Sequence, residues 1–245
     1  MANLLIVDAS SALCSVSLIS AAGVQDLTER QPRRHAQRLL PMIDEVLQVA
    51  GVDKTALDGL AFARGPGSFT GIRIAVSVIQ GIALGLNLPV YGFSTLQLLA
   101  QQALAETTVG QVVTVLDAHM GEVFWAVYER NDEQDGLLCR LVGVEQVSDP
   151  QRCVDGLQYM LQAHQIDPYN CVLAGNGVAL LTLEDRLPAL SVVDGIEPLS
   201  HYAVDQVANA WQRGEFAGFE DFPPVYLRDS VAWKKLDEQP SLLKR

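Results

Sequence analysis

Residues 63–86 read ARGPGSFTGIRIAVSVIQGIALGL. Gly65, Pro66, Gly67 and Gly71 crowd the start, and an almost unbroken apolar run follows. A glycine-rich loop that opens a helix can hold an anion on its free backbone N–H groups. The spacing here is G-x-G-x-x-x-G, one residue longer than the dinucleotide fingerprint. The lysine of a nucleotide P-loop is missing, and the nearest cation, Arg73, already lies inside the helix. The competing reading is a tight strand-to-helix turn whose glycines let backbones pack closely, and the spacing favours it.

The apolar run says more than the loop. From Ile72 to Leu86 the only polar side chains are Arg73, Ser77 and Gln80. A helix that is apolar nearly all round has to be covered on more than one side. Ser77, Gly81 and Gly85 recur every four residues and make a smooth ridge that another helix can approach. Each glycine inside a helix costs about 1 kcal/mol relative to alanine, so a compensating contact is expected. The neighbouring stretch around 35–50 has apolar residues at 39, 40, 43, 46, 47 and 50, with Gly51 as its stop. Pro41 belongs in its first turn or kinks it. Met42, Val46 and Val49 form a second apolar line beside that stripe. Together with Ser77, Val78, Gly81 and Gly85 they make a candidate partner interface, with ordinary burial as the alternative.

Outward from this segment, strands alternate with helices. "NLLIVDASS", "ALCSVSLIS" and "GVQDLTE" read as successive strands, and "LAFARG" and "LPVYGFS" as two more. Ser94 with Gln97 fits a capping box for a helix over "STLQLLAQQALAE". "VVTVLDA" and "EVFWAVYE" are strands, Asp149–Pro150 start a helix to about His164, "NCVLAGNG" is a strand and a glycine turn, and Ser200 caps "HYAVDQVANAWQRG". Residues 6–18 (IVDASSALCSVSL) and 115–127 (VLDAHMGEVFWAV) share a strand, Asp-Ala, turn, strand pattern, each at the head of one half. The class is α/β with mixed sheets in two lobes, 1–108 and 109–245.

The chain has 245 residues and is 49% apolar, enough for a sizeable core. Its net charge of −12 argues against gripping a nucleic-acid backbone unaided. No signal peptide is read at the N-terminus, and the charge-free run Ile74–Leu86 is too short for a bilayer, so a cytoplasmic protein with no membrane partner is expected. Cys14, Cys139, Cys153 and Cys171 form no CxxC pair and are expected as reduced, mostly buried thiols. The four histidines have no metal-binding spacing, and no nucleophile motif is present. Asp8, Ser10 and Ser11 follow a strand directly and are candidates to face a phosphate or a metal-bound water, or simply to close a turn. Asp117 has the same ambiguity, and "AGNGV" at 174–178 either flanks a nucleotide ring or turns a strand into a helix.

The 63–100 segment resembles the TsaB (YeaZ) family, as do "LLIVDAS", "RHAQRLLPMIDEVL", "LDAHMGEVFWAVYE", "AGNG" and "PPVYLRDSVAWKKL", in the right order over nearly the whole chain. The resemblance implies the actin-like/Hsp70-like ATPase fold, two lobes that each begin with strand–turn–strand, and a region near 200–213 that packs back on the first lobe. It implies a subunit without catalytic residues or metal of its own. Such a subunit pairs with a sister, TsaD, which transfers threonylcarbamoyl to the adenosine beside the tRNA anticodon, and an ATPase, TsaE, joins them. The first two helices would form that contact or a homodimer. No cofactor is expected on the chain alone, ATP or ADP belongs at the complex interface, and tRNA is met through the complex. The sister's HxxxH metal pair has no equivalent here, and the Asp8 turn lacks the usual phosphate-loop glycine. The rival reading is a small ATPase or sugar kinase of the same fold using Asp8 as base or metal anchor.

Overall fold

The structure is a computed structural model that describes residues 1–30, 34–131, 139–183, 186–187 and 189–228. Five strands build the first sheet: β1 (Leu4–Asp8), β2 (Leu13–Ser20), β3 (Gly23–Arg30), β4 (Gly59–Ala63) and β5 (Val90–Phe93), in the order β3-β2-β1-β4-β5. β1, β2 and β3 pair antiparallel, while β4 and β5 add in parallel. The second sheet contains β6 (Gln111–His119), β7 (Glu122–Arg130), β8 (Cys139–Ser148), β9 (Cys171–Ala174) and β10 (Ser191–Val193). Its order, β8-β7-β6-β9-β10, repeats the first sheet strand for strand, with the same parallel and antiparallel pairings.

β1 is buried on both faces, so it reads as a continuous apolar run rather than an alternating one. Leu5 and Val7 face α1 (His35–Ala50) and α2 (Phe69–Leu86), in a cluster with Leu39, Ile43 and Ile79. Leu4 and Ile6 point the other way, toward Leu98 of α3 (Thr95–Glu106) and Val207. α3 is shared between the sheets: Leu96, Leu99 and Ala103 pack on Val112, Ala126 and Tyr128 of the second one. α4 (Pro150–Ala163) covers the opposite face against Trp125 and Val127, capped by the Asp149 carboxylate, which accepts from Arg152 N at 3.0 Å.

After β10 the chain returns to the first sheet. Ser200 begins a 3₁₀ turn, Ser200–Ala203, that precedes α5 (Val204–Gln212). Ser200 does not cap a helix: its hydroxyl meets Ser17 Oγ at 2.7 Å and its N–H donates to Ser15 Oγ at 2.9 Å, both on β2. Ala217 then pairs with Val90, and Val225 N donates to Arg64 O at 2.8 Å. At Arg228 the chain reaches the β6–β7 turn of the second half. The rest of the "PPVYLRDSVAWKKL" stretch, from residue 229, lies outside the described residues.

Other local expectations meet corrections. Pro41 sits inside α1, in its second turn. Ser94 Oγ accepts from Leu96 N and Gln97 N as a cap should, but Gln97 turns its side-chain oxygen to Gln206 Nε2 at 3.1 Å instead of completing a capping box. β8 and β10 are strands that periodicity misses. β8 is an edge strand of mixed exposure without alternation, and β10 has only three residues.

Candidate functional site

Asp8 ends β1 and is 1% exposed. Its Oδ1 accepts the Ser10 N–H at 2.7 Å, which closes the turn into β2. Burial pushes its pKa up from 3.8 to about 6, with the Ser10 hydroxyl and the Ser10 N–H holding it back. Ser11 Oγ accepts from Leu13 N at 3.0 Å, so it too serves the turn.

The glycine loop closes on this turn. Ser68 N donates to Ser10 O at 2.7 Å, and the Ser68 side chain caps α2 by accepting from Gly71 N. A Cβ on Gly71 would lie 1.9 Å from Ala9 O, and one on Gly67 would lie 2.5 Å from Ser10 O. The glycines therefore permit backbone-on-backbone contact. The residues do not fit a phosphate chain there: the loop seats directly on the Asp8 turn, whose carboxylate is buried and accepts from Ser10 N on Oδ1.

The second half repeats the device. Asp117 Oδ1 accepts from His119 N at 2.7 Å, while Asp117 N donates to Asn176 Oδ1 at 3.0 Å. Cβ atoms on Gly175 and Gly177 would meet Val115 O at 2.4 Å and the Leu116 carbonyl carbon at 2.6 Å. "AGNG" thus turns β9 into a single 3₁₀ turn, Val178–Leu180, not a full helix. Beside it lies a cavity of about 720 Å³ bordered by Asp194 and by Glu197, which pairs with Arg30, and with no lysine or arginine among the described residues of its lining.

The α1–α2 surface is different in kind. Phe69, Arg73, Ser77, Gln80, Gly81, Leu84 and Gly85 are all exposed, one continuous stripe at helical spacing. Leu84 is 76% exposed, and Cβ atoms added to Gly81 or Gly85 would meet nothing within 4 Å. Among the described residues nothing fills the small-residue ridge. Val78 beside it is half-buried against the first core. On α1, Val49 is 73% exposed and Leu40 44%. Met42 and Val46 are not on this surface: at 0% and 3% exposure they are core residues with Leu39, Ile43 and Leu47. Their line and the core stripe are one stripe, because 39, 42, 43, 46 and 47 share a single helical face. Ala36 of α1 and Phe69, Ile74 and Ser77 of α2 border a groove of about 460 Å³. Phe69 and Leu84 were missed because an exposed apolar residue and a buried one look alike in sequence. By length and composition α2 also satisfies a membrane span, with mean hydropathy 1.6 over 18 residues, and a third of it is buried against the fold.

Among the described residues no three His, Cys, Asp or Glu side chains gather as a metal site. All four cysteines are free and buried, and burial pushes each thiol up to about 12, far from a nucleophile's range.

A family described as TsaD, tRNA N6-adenosine threonylcarbamoyltransferase, matches residues 27–217. The chain is 36% identical over 242 residues to the tRNA threonylcarbamoyladenosine biosynthesis protein TsaB of Escherichia coli K12, covering 96% of this chain and 98% of that one. It is 34% identical to the protein of the same name from Haemophilus influenzae, covering 96% and 97%. A solved structure of YeaZ from Pseudomonas aeruginosa superposes with a TM-score of 0.77 at 35% identity, over 93% of this chain and 100% of that one. With two mixed sheets of one strand order and this identity along nearly its whole length, the chain belongs to the TsaB (YeaZ) family and has its actin-like/Hsp70-like ATPase fold.

Proposed function

We propose that this chain acts in tRNA threonylcarbamoyladenosine biosynthesis as a scaffold subunit, pairing through α1 and α2 with the catalytic sister TsaD while the ATPase TsaE joins the pair. The observation that carries this reading is the exposed face of α2, where Phe69 is 54% and Leu84 76% exposed beside a glycine ridge that no described residue covers. Small residues on that ridge let a partner helix come close, and the flanking leucines supply the area a helix–helix contact needs. Without its sister, the same face pairs two copies of the chain. Any nucleotide belongs to the interface of the complex, because neither glycine turn offers room or charge for phosphates. The sealed Asp8 turn also speaks against a kinase or ATPase that would use Asp8 as a base. tRNA is met through the assembly, consistent with a net charge of −12.

The test is Gly81→Trp. Its side chain starts in open space, so the variant folds with a stability within about 1 kcal/mol of the parent. It loses the complex with TsaD in size-exclusion light scattering, and it loses support of modification in a reconstituted assay. A variant that still assembles and still supports modification removes this face from the proposal. Modification at full rate without the chain removes the scaffold role itself.

A further inference from the structure

Between the two sheets, bordered by Arg64 at the entry to the first glycine loop, lies a pocket of about 510 Å³. That is within the roughly 300–1,000 Å³ usual for small-ligand sites. Three separate parts of the chain line it: Arg64, Tyr91 and Ser94 from the first half, Tyr128 and Glu145 from the second, and Val225 and Leu227 from the returning segment. Its polar groups are held in place. Ser94 Oγ and Tyr128 OH both donate to Glu145 Oε1, the latter at 2.7 Å. Gln206 Nε2 donates to Tyr91 OH at 3.1 Å, and the Gln206 oxygen accepts from Gln101 at 2.6 Å, so Tyr91 keeps its own proton to offer.

Two charges in this pocket lack a counter-charge. Arg64 makes no ion pair among the described residues, and its Nη1 donates to the Pro223 carbonyl only at 3.5 Å. Its Nε is buried with no hydrogen-bond partner among the described residues. An orphaned guanidinium donor out of water is costly unless something else supplies the acceptor. Glu145 takes hydroxyl donors on one oxygen only and meets no cation among the described residues. One pocket thus offers an unpaired cation and an unpaired anion, each fixed by its own packing. A guanidinium edge matches a carboxylate through two parallel N–H bonds. A carboxylate with one oxygen uncommitted matches an ammonium group.

We infer that this inter-lobe pocket binds a small zwitterion of the α-amino-acid class, its carboxylate on Arg64 and its ammonium on Glu145. The site uses neither α1 nor α2, so it stands or falls separately from the scaffold reading. Isothermal titration of the full chain with free α-amino acids, each beside its N-acetyl and carboxamide forms, tests it. The expected result is binding of one or more free amino acids and at least tenfold weaker binding of both blocked forms. Arg64→Met and Glu145→Gln each weaken that binding at least tenfold, with circular dichroism confirming that they fold. The inference is overturned if no free amino acid binds the parent chain. It is equally overturned if the N-acetyl or carboxamide form binds as well as the free one, since the site then reads a single charge.

Discussion

The two halves of the molecule share a strand order and differ in what they wrap around it. In the first, β4 passes through the glycine loop into the 18-residue α2. In the second, β9 passes through Gly175–Gly177 into one 3₁₀ turn of three residues. Both loops seat glycines against the backbone of the preceding hairpin: on Ala9 and Ser10 of the Asp-Ala turn in the first half, and on Val115 and Leu116 of β6 in the second. The conserved part of the design is therefore the contact between a hairpin and a glycine loop, which fixes where the parallel strand lies. The outer helix is free to change because it covers only one face of a sheet. The first half turns that freedom into an exposed apolar helix, and the second turns it into a cavity.

Breaking the glycine contact in either half tests whether the two are equivalent. Gly71→Ala places a Cβ 1.9 Å from the Ala9 carbonyl, a backbone atom that cannot step aside. The expected loss is about 3–5 kcal/mol in urea denaturation, at the upper end for a single substitution. Gly177→Ala, whose Cβ would meet the Leu116 carbonyl carbon at 2.6 Å, is expected to lose about 3 kcal/mol. A loss below about 1 kcal/mol at one position only breaks the comparison.

The two aspartates differ in burial, and pH sharpens that difference. Asp8 is 1% exposed, while the Asp117 side chain is 35% exposed. For Asp8 the rise from 3.8 to about 6 corresponds to ~3 kcal/mol against the ionised folded form. The unfolded chain loses this proton near pH 4 and the folded chain near pH 6. The folded state therefore binds more protons between those values, and this group lowers stability as pH rises through that window. Above about pH 6 its effect is constant. Asp8→Asn keeps an oxygen for Ser10 N–H and removes the ionisation. The variant is expected to gain up to ~3 kcal/mol on the parent between pH 4 and 6.5 in denaturation curves, and Asp117→Asn to leave that slope in place. A parent-to-variant difference that does not change with pH overturns the burial argument for Asp8.

These contrasts explain what the sequence made legible. The Asp-Ala repeat at 6–18 and 115–127 exposed the duplication because each copy needs the same tight turn. The glycine loop was readable as a turn from its spacing and its missing lysine. The ridge at Ser77, Gly81 and Gly85 was readable as a place of close helix approach from its spacing, but whether it met the chain's own core or open space was not. Met42 and Val46 were misplaced because helical spacing gives the angle between residues, not which angle faces the sheet. The shortened helix after β9 was hidden, since "VALLTLEDRLPALSVV" carries enough leucine to pass as either element. Least legible were contacts made at long range, such as the pairing of Ser200 with Ser17 and the return of residues 217–228 across both sheets. Those depend on which surfaces meet after the elements have formed, and no local pattern encodes them.

The smallest expected effect falls on such a contact. The turn of the first half is fastened by its own loop, through Ser68 N and Ser10 O. The turn of the second half has an added clamp from far along the chain: Arg228 donates to Glu122 Oε2 at 2.7 Å, to Ala118 O at 3.1 Å and to His119 O at 3.3 Å. It needs that clamp more, because His119 and Met120 are both held at positive φ, 59° and 58°, where side-chain-bearing residues are strained. Arg228→Ala is expected to cost about 1–2 kcal/mol, the worth of hydrogen bonds from a partly buried cation. Its sharper readout is amide exchange: faster at residues 118–122 and unchanged at residues 8–13. Arg228→Lys, which keeps the charge and loses the planar fork, recovers only part of the protection. Equal loosening of both turns shows that Arg228 acts through the whole fold, and the two halves then share one fastening where the contacts describe two.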